Sequence, residues 1–460
     1  MKQFSEITLI DPLQRALAEV DYTTMTPVQA ESLPAILEGR DVVAQAQTGS
    51  GKTAAFALGL LAMLDADAIR LQGLVLCPTR ELADQVSREI RRLARFIPNV
   101  KVLTLCGGVP LRPHLASLSH EPHIVVGTPG RLLELLEKDA LPLAALKVLV
   151  IDEADRMLDM GFADAIRDII RRAPSKRQTL LFSATIPDSI REISRQFQRD
   201  PVDISVAGEE ESLIEQTFFE VEAERKVDAL ATLLLKHRPE SAVVFCNMKQ
   251  DVRRVSGELA ARGFSVLALH GELDQREREE MLVQFANRSC TVLVASDVAA
   301  RGLDISELPM VVNFDVPSDA DTYIHRIGRT GRAGRRGLAL NLCSPRESRR
   351  ANVIEERLGE PLYWNALPVP APGEPSPAPL VAPFVTLAVD AGRQDKLRPG
   401  DLLGALTGVA KISGDAVGKI DVFPTRTYVA IARDQADNAL RGLRAGKIKN
   451  RKIRIRRISS

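Results

Sequence analysis

Val42-Val43-Ala44-Gln45-Ala46-Gln47-Thr48-Gly49-Ser50-Gly51-Lys52-Thr53 decides the fold. A short β-branched run leads into a glycine-rich loop, and the loop opens an apolar helical pattern from Ala54 to Leu64. Glycines let the backbone wrap phosphates with its N–H groups, and a helix start adds positive potential. The backbone of Thr48, Gly49, Ser50 and Gly51 would form the cradle. Lys52 would reach the β and γ phosphates of a nucleotide, and the Thr53 hydroxyl would ligate Mg²⁺. Ala46 stands where such loops usually open on glycine. A bare glycine-rich turn would need neither the strand before it nor the helix after it.

A second apolar run, Val148-Leu149-Val150-Ile151, ends in Asp152-Glu153-Ala154-Asp155. A carboxylate at the end of a buried strand suits Mg²⁺, directly or through water, which makes Asp152 the metal candidate. Glu153 is placed to orient or deprotonate the attacking water. Acidic residues also favour helix starts, but the phosphate loop upstream favours the catalytic reading. A third stretch, His325-Arg326-Ile327-Gly328-Arg329-Thr330-Gly331-Arg332, sets three arginines among glycines. It fits a solvated loop or a pair of arginine fingers on a γ-phosphate.

Working outward, the same rhythm of short buried strand, turn and helix recurs at Leu74–Leu76, Ile124–Val126 and Thr179–Phe182. It resumes at Ala242–Phe245, Val266–Leu269, Val292–Val294 and Met310–Phe314. This is the pattern of α/β folds with parallel sheets, whose ligands bind beyond the carboxyl ends of the strands. An acidic stretch near 207–212 separates two such segments, 1–206 and 213–366. Residues 367–382 are proline-rich and read as an extended, semi-rigid linker without a packed core. Residues 383–460 form the tail.

At 460 residues, with 45% hydrophobic and 26% charged residues, the chain is neither disordered nor a disulfide scaffold. Its apolar runs are too short to span a membrane, and the start lacks a signal-peptide pattern. Five scattered cysteines with no C-x-x-C spacing read as reduced core thiols in a cytoplasmic protein. The net charge of +1 conceals an asymmetry. Residues 382–460 carry 16 basic and 7 acidic groups, or +9, leaving −8 for the rest. Nine basic residues and no acidic one lie between Arg441 and Arg457, a candidate phosphate-binding footprint containing Arg451 and Lys452. A basic solvated strand and tail would look similar.

Together these motifs resemble the DEAD-box RNA helicases over residues 1–365. That resemblance implies two tandem RecA-like domains. It implies that Gln29, in Met25-Thr26-Pro27-Val28-Gln29, reads the adenine edge, with Tyr22 packing on its face and Phe4 the upstream aromatic. Arg80, Gly108, Thr128 and Arg131 match RNA-backbone contacts of the first domain, and Gly271 one of the second. Ser183-Ala184-Thr185 matches the segment that couples hydrolysis to RNA remodelling, with Ser183 and Thr185 as its hydroxyls. Asp304 is placed near the ribose, and Arg329 and Arg332 become the two fingers. Lys52 and Glu153 complete the catalytic set.

In the tail, Phe384–Val389 and Thr427–Ile431 suit the two central strands of an RRM-like βαββαβ domain. Helical patterns near 399–406 and 433–443 and a last strand near 453–458 complete the order. Only Phe384 and Tyr428 are available to stack bases, so basic residues carry more of the expected RNA contact. Leu397-Arg398-Pro399-Gly400-Asp401-Leu402-Leu403-Gly404 and Gly446-Lys447-Ile448-Lys449 resemble the DbpA branch. That branch is directed to a 23S rRNA hairpin in pre-50S ribosomal particles. The implied cycle has ATP drawing the domains together over single-stranded RNA, with release after hydrolysis. Nothing in the sequence demands a dimer, so a monomer is expected. A nucleotide-gated RNA clamp and a DNA translocase remain alternatives at this stage.

Overall fold

The computed structural model describes residues 2–46, 49–206, 213–300, 308–331, 336–368, 377–449 and 451–458. They fall into two units, one within 2–206 and the other from 213 onward. Thr48, Asp304 and Arg332 lie outside the described residues.

In the first unit seven strands form one parallel sheet: β1 (Val42–Gln45), β2 (Gly73–Leu76), β3 (Val102–Leu105), β4 (Ile124–Gly127), β5 (Val148–Asp152), β6 (Gln178–Ser183) and β7 (Val202–Ser205). Their order is β3-β4-β2-β5-β6-β1-β7. Helices cover both faces, so Leu74, Val125, Val150 and Leu180 are fully buried. This explains why these strands read as unbroken apolar runs. Burying each such side chain contributes about 1.5–3 kcal/mol. β1 and β5 are separated only by β6, so the phosphate loop and the acidic turn emerge side by side at one rim.

The second unit repeats the plan with β8 (Ile214–Glu220), β9 (Ala242–Cys246), β10 (Val266–Leu269), β11 (Val292–Ser296), β12 (Met310–Asn313), β13 (Gly337–Cys343) and β14 (Trp364–Asn365). This sheet is also parallel, ordered β10-β11-β9-β12-β13-β8-β14. A third, antiparallel sheet contains β15 (Phe384–Val389), β16 (Val417–Val422), β17 (Thr427–Ala432) and β18 (Ile455–Arg457), ordered β16-β17-β15-β18. Helices Pro399–Gly404 and Ala436–Ala445 complete βαββαβ. The expected fold class therefore stands, with β15 and β17 central. All five cysteines are free and buried. Among the described residues, no helix is long and apolar enough to cross a membrane.

Two expectations need correction. The final part of the proline-rich stretch is packed: Leu380 is buried in the second sheet's core, and its carbonyl accepts from Ser265 N–H at 2.9 Å. The patch of the tail sheet that carries Tyr428 is also covered. Ala388, Tyr428 and Ile458 form a buried cluster with Val283, from the helix Gln275–Ala286. Polar contacts frame it. Ser289 and Thr386 hydroxyls meet at 2.7 Å, and Glu280 pairs with Arg456 and, at 3.7 Å, with Arg426. Tyr428, expected to face RNA bases, is fully buried because this apolar face finds a protein partner.

Candidate active site and RNA surfaces

Gly49 and Gly51 adopt φ of 88° and 90°, the left-handed region in which glycine carries no Cβ penalty. A Cβ on Gly51 would lie 2.6 Å from Gln29 Nε2 and 2.9 Å from Thr26 Oγ1. Lys52 opens the helix Lys52–Ala62 and is buried, with Nζ 3.5 Å from Asp152 Oδ1. Neither Asp152 oxygen has a hydrogen-bond partner among the described residues, and the carboxylate is fully buried. A buried carboxylate with Lys52 as its one close cation still gains from a ligand that completes its oxygens. Burial pushes its pKa up to about 6, with Lys52 pulling it down and Glu153 adding to the rise. An oxygen ligand, a buried ammonium and a glycine cradle fit a nucleotide phosphate with its Mg²⁺.

Glu153 sits at φ 53°, a left-handed conformation unusual for a non-glycine residue and frequent at functional sites. Its carboxylate pairs with Arg156 at 2.6 Å in a buried setting, which fixes its orientation. Asp155 is a hub whose role the sequence did not reveal. Its Oδ2 accepts from Ala184 N–H at 3.2 Å, Thr185 N–H at 2.9 Å and Thr185 Oγ1 at 3.1 Å. Its own N–H donates to Ser183 Oγ at 3.1 Å. The Ser183-Ala184-Thr185 segment is thus fastened directly to the acidic turn. Ala46 N–H also donates to Ser183 carbonyl at 2.9 Å, tying that segment to the phosphate loop.

Gln29 takes a local task. Its Oε1 accepts from Thr26 N–H at 2.9 Å, and its Nε2 donates to Gly51 carbonyl at 3.0 Å. A primary amide keeps a second proton and a second lone pair for an adenine edge. Tyr22 is half-buried, stacks on Phe4 at 6.3 Å between centroids, and donates to Glu89 at 3.2 Å. Burial, then Glu89, raises its pKa.

The remaining first-unit residues divide by how their polar groups are paired. Thr128 Oγ1 accepts from Gly107 N–H at 3.1 Å and shapes the glycine turn beside Gly108. Arg80 Nη1 lies 3.4 Å from where a Cβ on Gly108 would be and has no hydrogen-bond partner among the described residues. Arg131 instead points inward. It contacts His114 Nδ1 at 2.6 Å, donates to Val109 carbonyl at 2.7 Å and pairs with Glu134 at 3.0 Å. In this arrangement it braces the loop rather than presenting its guanidinium.

In the second unit Arg326 is almost completely buried. Its Nε and Nη2 meet both oxygens of Asp297 at 2.6 and 2.7 Å. Further donations reach Asn247 Oδ1 at 2.7 Å, Asn313 Oδ1 at 3.0 Å and Asp315 carbonyl at 2.8 Å. This fork fixes the helix Ala320–Ile327, whose end leads to Arg329. The arginine-rich stretch is therefore mixed: Arg326 is structural, and Arg329 is the described finger candidate. In the tail, Lys452 lines a groove of about 440 Å³ with Arg444, Arg454 and Arg456. Arg451 pairs at 3.8 Å with Asp395.

A phosphate loop, an acidic turn and a fastened Ser-Ala-Thr segment on RecA-like sheets define a P-loop ATPase. Residues 26–193 match the DEAD/DEAH box helicase family, 225–334 the helicase conserved C-terminal domain, and 386–457 the DbpA RNA binding domain. The chain is 53% identical over 458 residues to the ATP-dependent RNA helicase DbpA of Escherichia coli (strain K12), covering 99% of each. It is 44% identical over 357 residues to the DEAD-box ATP-dependent RNA helicase CshA of Bacillus cereus, covering 77% of this chain and 68% of that one. The structure of S. cerevisiae Dbp5 bound to RNA and ADP BeF3 superposes with a TM-score of 0.72 at 30% identity, covering 80% of this chain and 96% of that one. The chain belongs to the DEAD-box ATP-dependent RNA helicases, and among them to the DbpA type. It binds ATP, and it binds RNA through the helicase core and the tail domain. Family membership sets aside the DNA translocase reading.

Proposed function

We propose that this helicase acts in the cytoplasm, as a monomer, on a 23S rRNA hairpin of pre-50S ribosomal particles. The tail domain would hold the hairpin while the core separates a neighbouring short duplex. The observation that carries this reading is the basic groove of Arg444, Lys452 and Arg454, on a tail that matches the DbpA RNA binding domain. With the tail's apolar face turned to Val283, the groove is the surface whose charge suits RNA phosphates.

In the core, Lys52 binds the β and γ phosphates and the backbone from Thr48 to Gly51 cradles them. Thr53 and Asp152 would hold Mg²⁺, which supplies charge neutralisation of the phosphates. Glu153, held by Arg156, orients the attacking water. Arg329 and Arg332 are the charges this reading assigns to the γ-phosphate, and Asp304 its ribose contact. Asp155 passes the state of the acidic turn to Ser183 and Thr185, which gives hydrolysis a route to the RNA side. Arg80, Gly108 and Thr128 in the first unit, and Gly271 in the second, line the RNA path.

The test is ATP hydrolysis and strand separation with a 23S fragment bearing the hairpin and with hairpin-free RNA. The hairpin fragment should stimulate both, and Lys452→Glu with Arg454→Glu should abolish the preference while retaining core ATPase. Equal stimulation by both RNAs would refute the targeting. Hydrolysis without strand separation would favour a nucleotide-gated clamp.

A further inference from the structure

β9 leads into the helix Lys249–Ala261, and β10 leads into His270-Gly271-Glu272. Both turns lie at the carboxyl rim of the second sheet, where ligands of parallel sheets bind. Lys249 and Arg253 are four residues apart and share one helix face. Their cations converge on a single carboxylate: Glu272 pairs with Lys249 through one oxygen and with Arg253 through the other. Arg253 Nε also donates to His270 Nε2 at 3.4 Å. Two cations on one helix face form an anion site, and the chain's own carboxylate fills it.

Glu272 contributes little to stability here. The side chains of Lys249, Arg253 and Glu272 are 54%, 56% and 42% exposed, and ion pairs at that exposure are readily exchanged. The two cations lower the Glu272 pKa, so the carboxylate stays charged across the working pH range.

We propose that Glu272 is an intramolecular stand-in for an RNA phosphate. Without RNA it neutralises Lys249 and Arg253, and a backbone phosphodiester must displace it to engage this rim. The device lowers the affinity of the nucleotide-free core for arbitrary RNA and leaves selection to the tail. The inference rests on the reading that this rim carries RNA backbone.

The experiment measures binding of a short fluorescent oligouridylate to the full-length protein without nucleotide, across a salt series. Glu272→Gln should tighten binding about three- to tenfold at low salt, the size expected from one or two exposed ion pairs. It should also steepen the salt dependence by about 0.7 in log–log slope. Lys249→Ala with Arg253→Ala should weaken binding, and adding Glu272→Gln to that pair should bring no gain. Unchanged affinity in Glu272→Gln, with weakening in the double variant, would overturn the stand-in role while keeping the RNA rim. Unchanged affinity in the double variant would overturn the rim reading itself.

Discussion

Replacing Arg326 with alanine should unfold the second unit at markedly lower denaturant. The side chain makes five hydrogen bonds at 2.6–3.0 Å, two of them to Asp297. Breaking a buried pair by removing one partner costs about 3 kcal/mol at the low end, the suitable end because Asp297 is 23% exposed. Asn313 is fully buried and loses a donor, adding about 1 kcal/mol. The total is about 4 kcal/mol. With a urea dependence of roughly 3 kcal/mol per molar for a unit of this size, the midpoint falls by about 1.3 M. The chain supplies its own probe. Its single tryptophan, Trp364, lies in this unit, 5.3 Å from the buried Phe218 ring. Fluorescence of Trp364 in urea therefore follows the second unit without interference from the first. Arg326→Lys should fall between the two, because one ammonium can pair with Asp297 but cannot span Asn247, Asn313 and the Asp315 carbonyl. A midpoint shift below about 0.3 M for the alanine variant would refute the argument that this fork holds the unit together.

Further outcomes follow from the first unit. Gly51→Ala should abolish ATP binding in a nucleotide titration, since its Cβ would meet Gln29 and Thr26 at φ 90°. Thr185→Ala removes one of the hydrogen bonds to Asp155 and should lower strand separation more than RNA-stimulated ATPase, measured side by side. The Asp152 carboxyl, pushed up to about 6 by burial, is ionised above that pH and protonated below it. If Asp152 holds Mg²⁺ as proposed, Mg-ATP binds the ionised form, so affinity should be full above that value and fall as pH drops through it. Calorimetric titrations one unit on either side would read this. For the nucleotide-free protein the stability sign is opposite. The folded pKa exceeds the ordinary carboxylate value of about 3.9, so the cost of the ionised form is full above about 6 and is relieved as pH falls toward 4.

The sequence showed more of the chemistry than of the packing. β1, β2, β4, β5 and β6 are buried on both faces and appear as unbroken apolar runs. β7, Val-Asp-Ile-Ser on a sheet edge, carries no such signal. Neither does β16, a half-buried edge strand with a register shift between Val417 and Ile420. β13 holds Asn341, whose Oδ1 accepts from Asn313 Nδ2 on the neighbouring strand at 2.8 Å, a partner that local pattern cannot reveal. The same limit applied to the site. Lys52, Asp152 and Glu153 lie in local motifs. The inward turn of Arg131, the hub role of Asp155 and the burial of Tyr428 depend on residues distant in sequence. The sequence shows three arginines there, and only Asp297 and Asn313 show that Arg326 is structural.

The tail's packing also alters how its role should be tested. Cutting the chain near Pro383 would uncover Val283 and leave Glu280 without Arg456 and Arg426, confounding lost RNA contact with lost stability. Charge reversal in the groove avoids this. The most direct measurement is strand separation of a duplex flanking the 23S hairpin, with ATP, by the unaltered protein and by the Lys452→Glu, Arg454→Glu variant. The account predicts ATP-dependent separation by the first, and by the second only the slower separation expected of hairpin-free duplexes. Equal rates for both proteins on the hairpin substrate would contradict it.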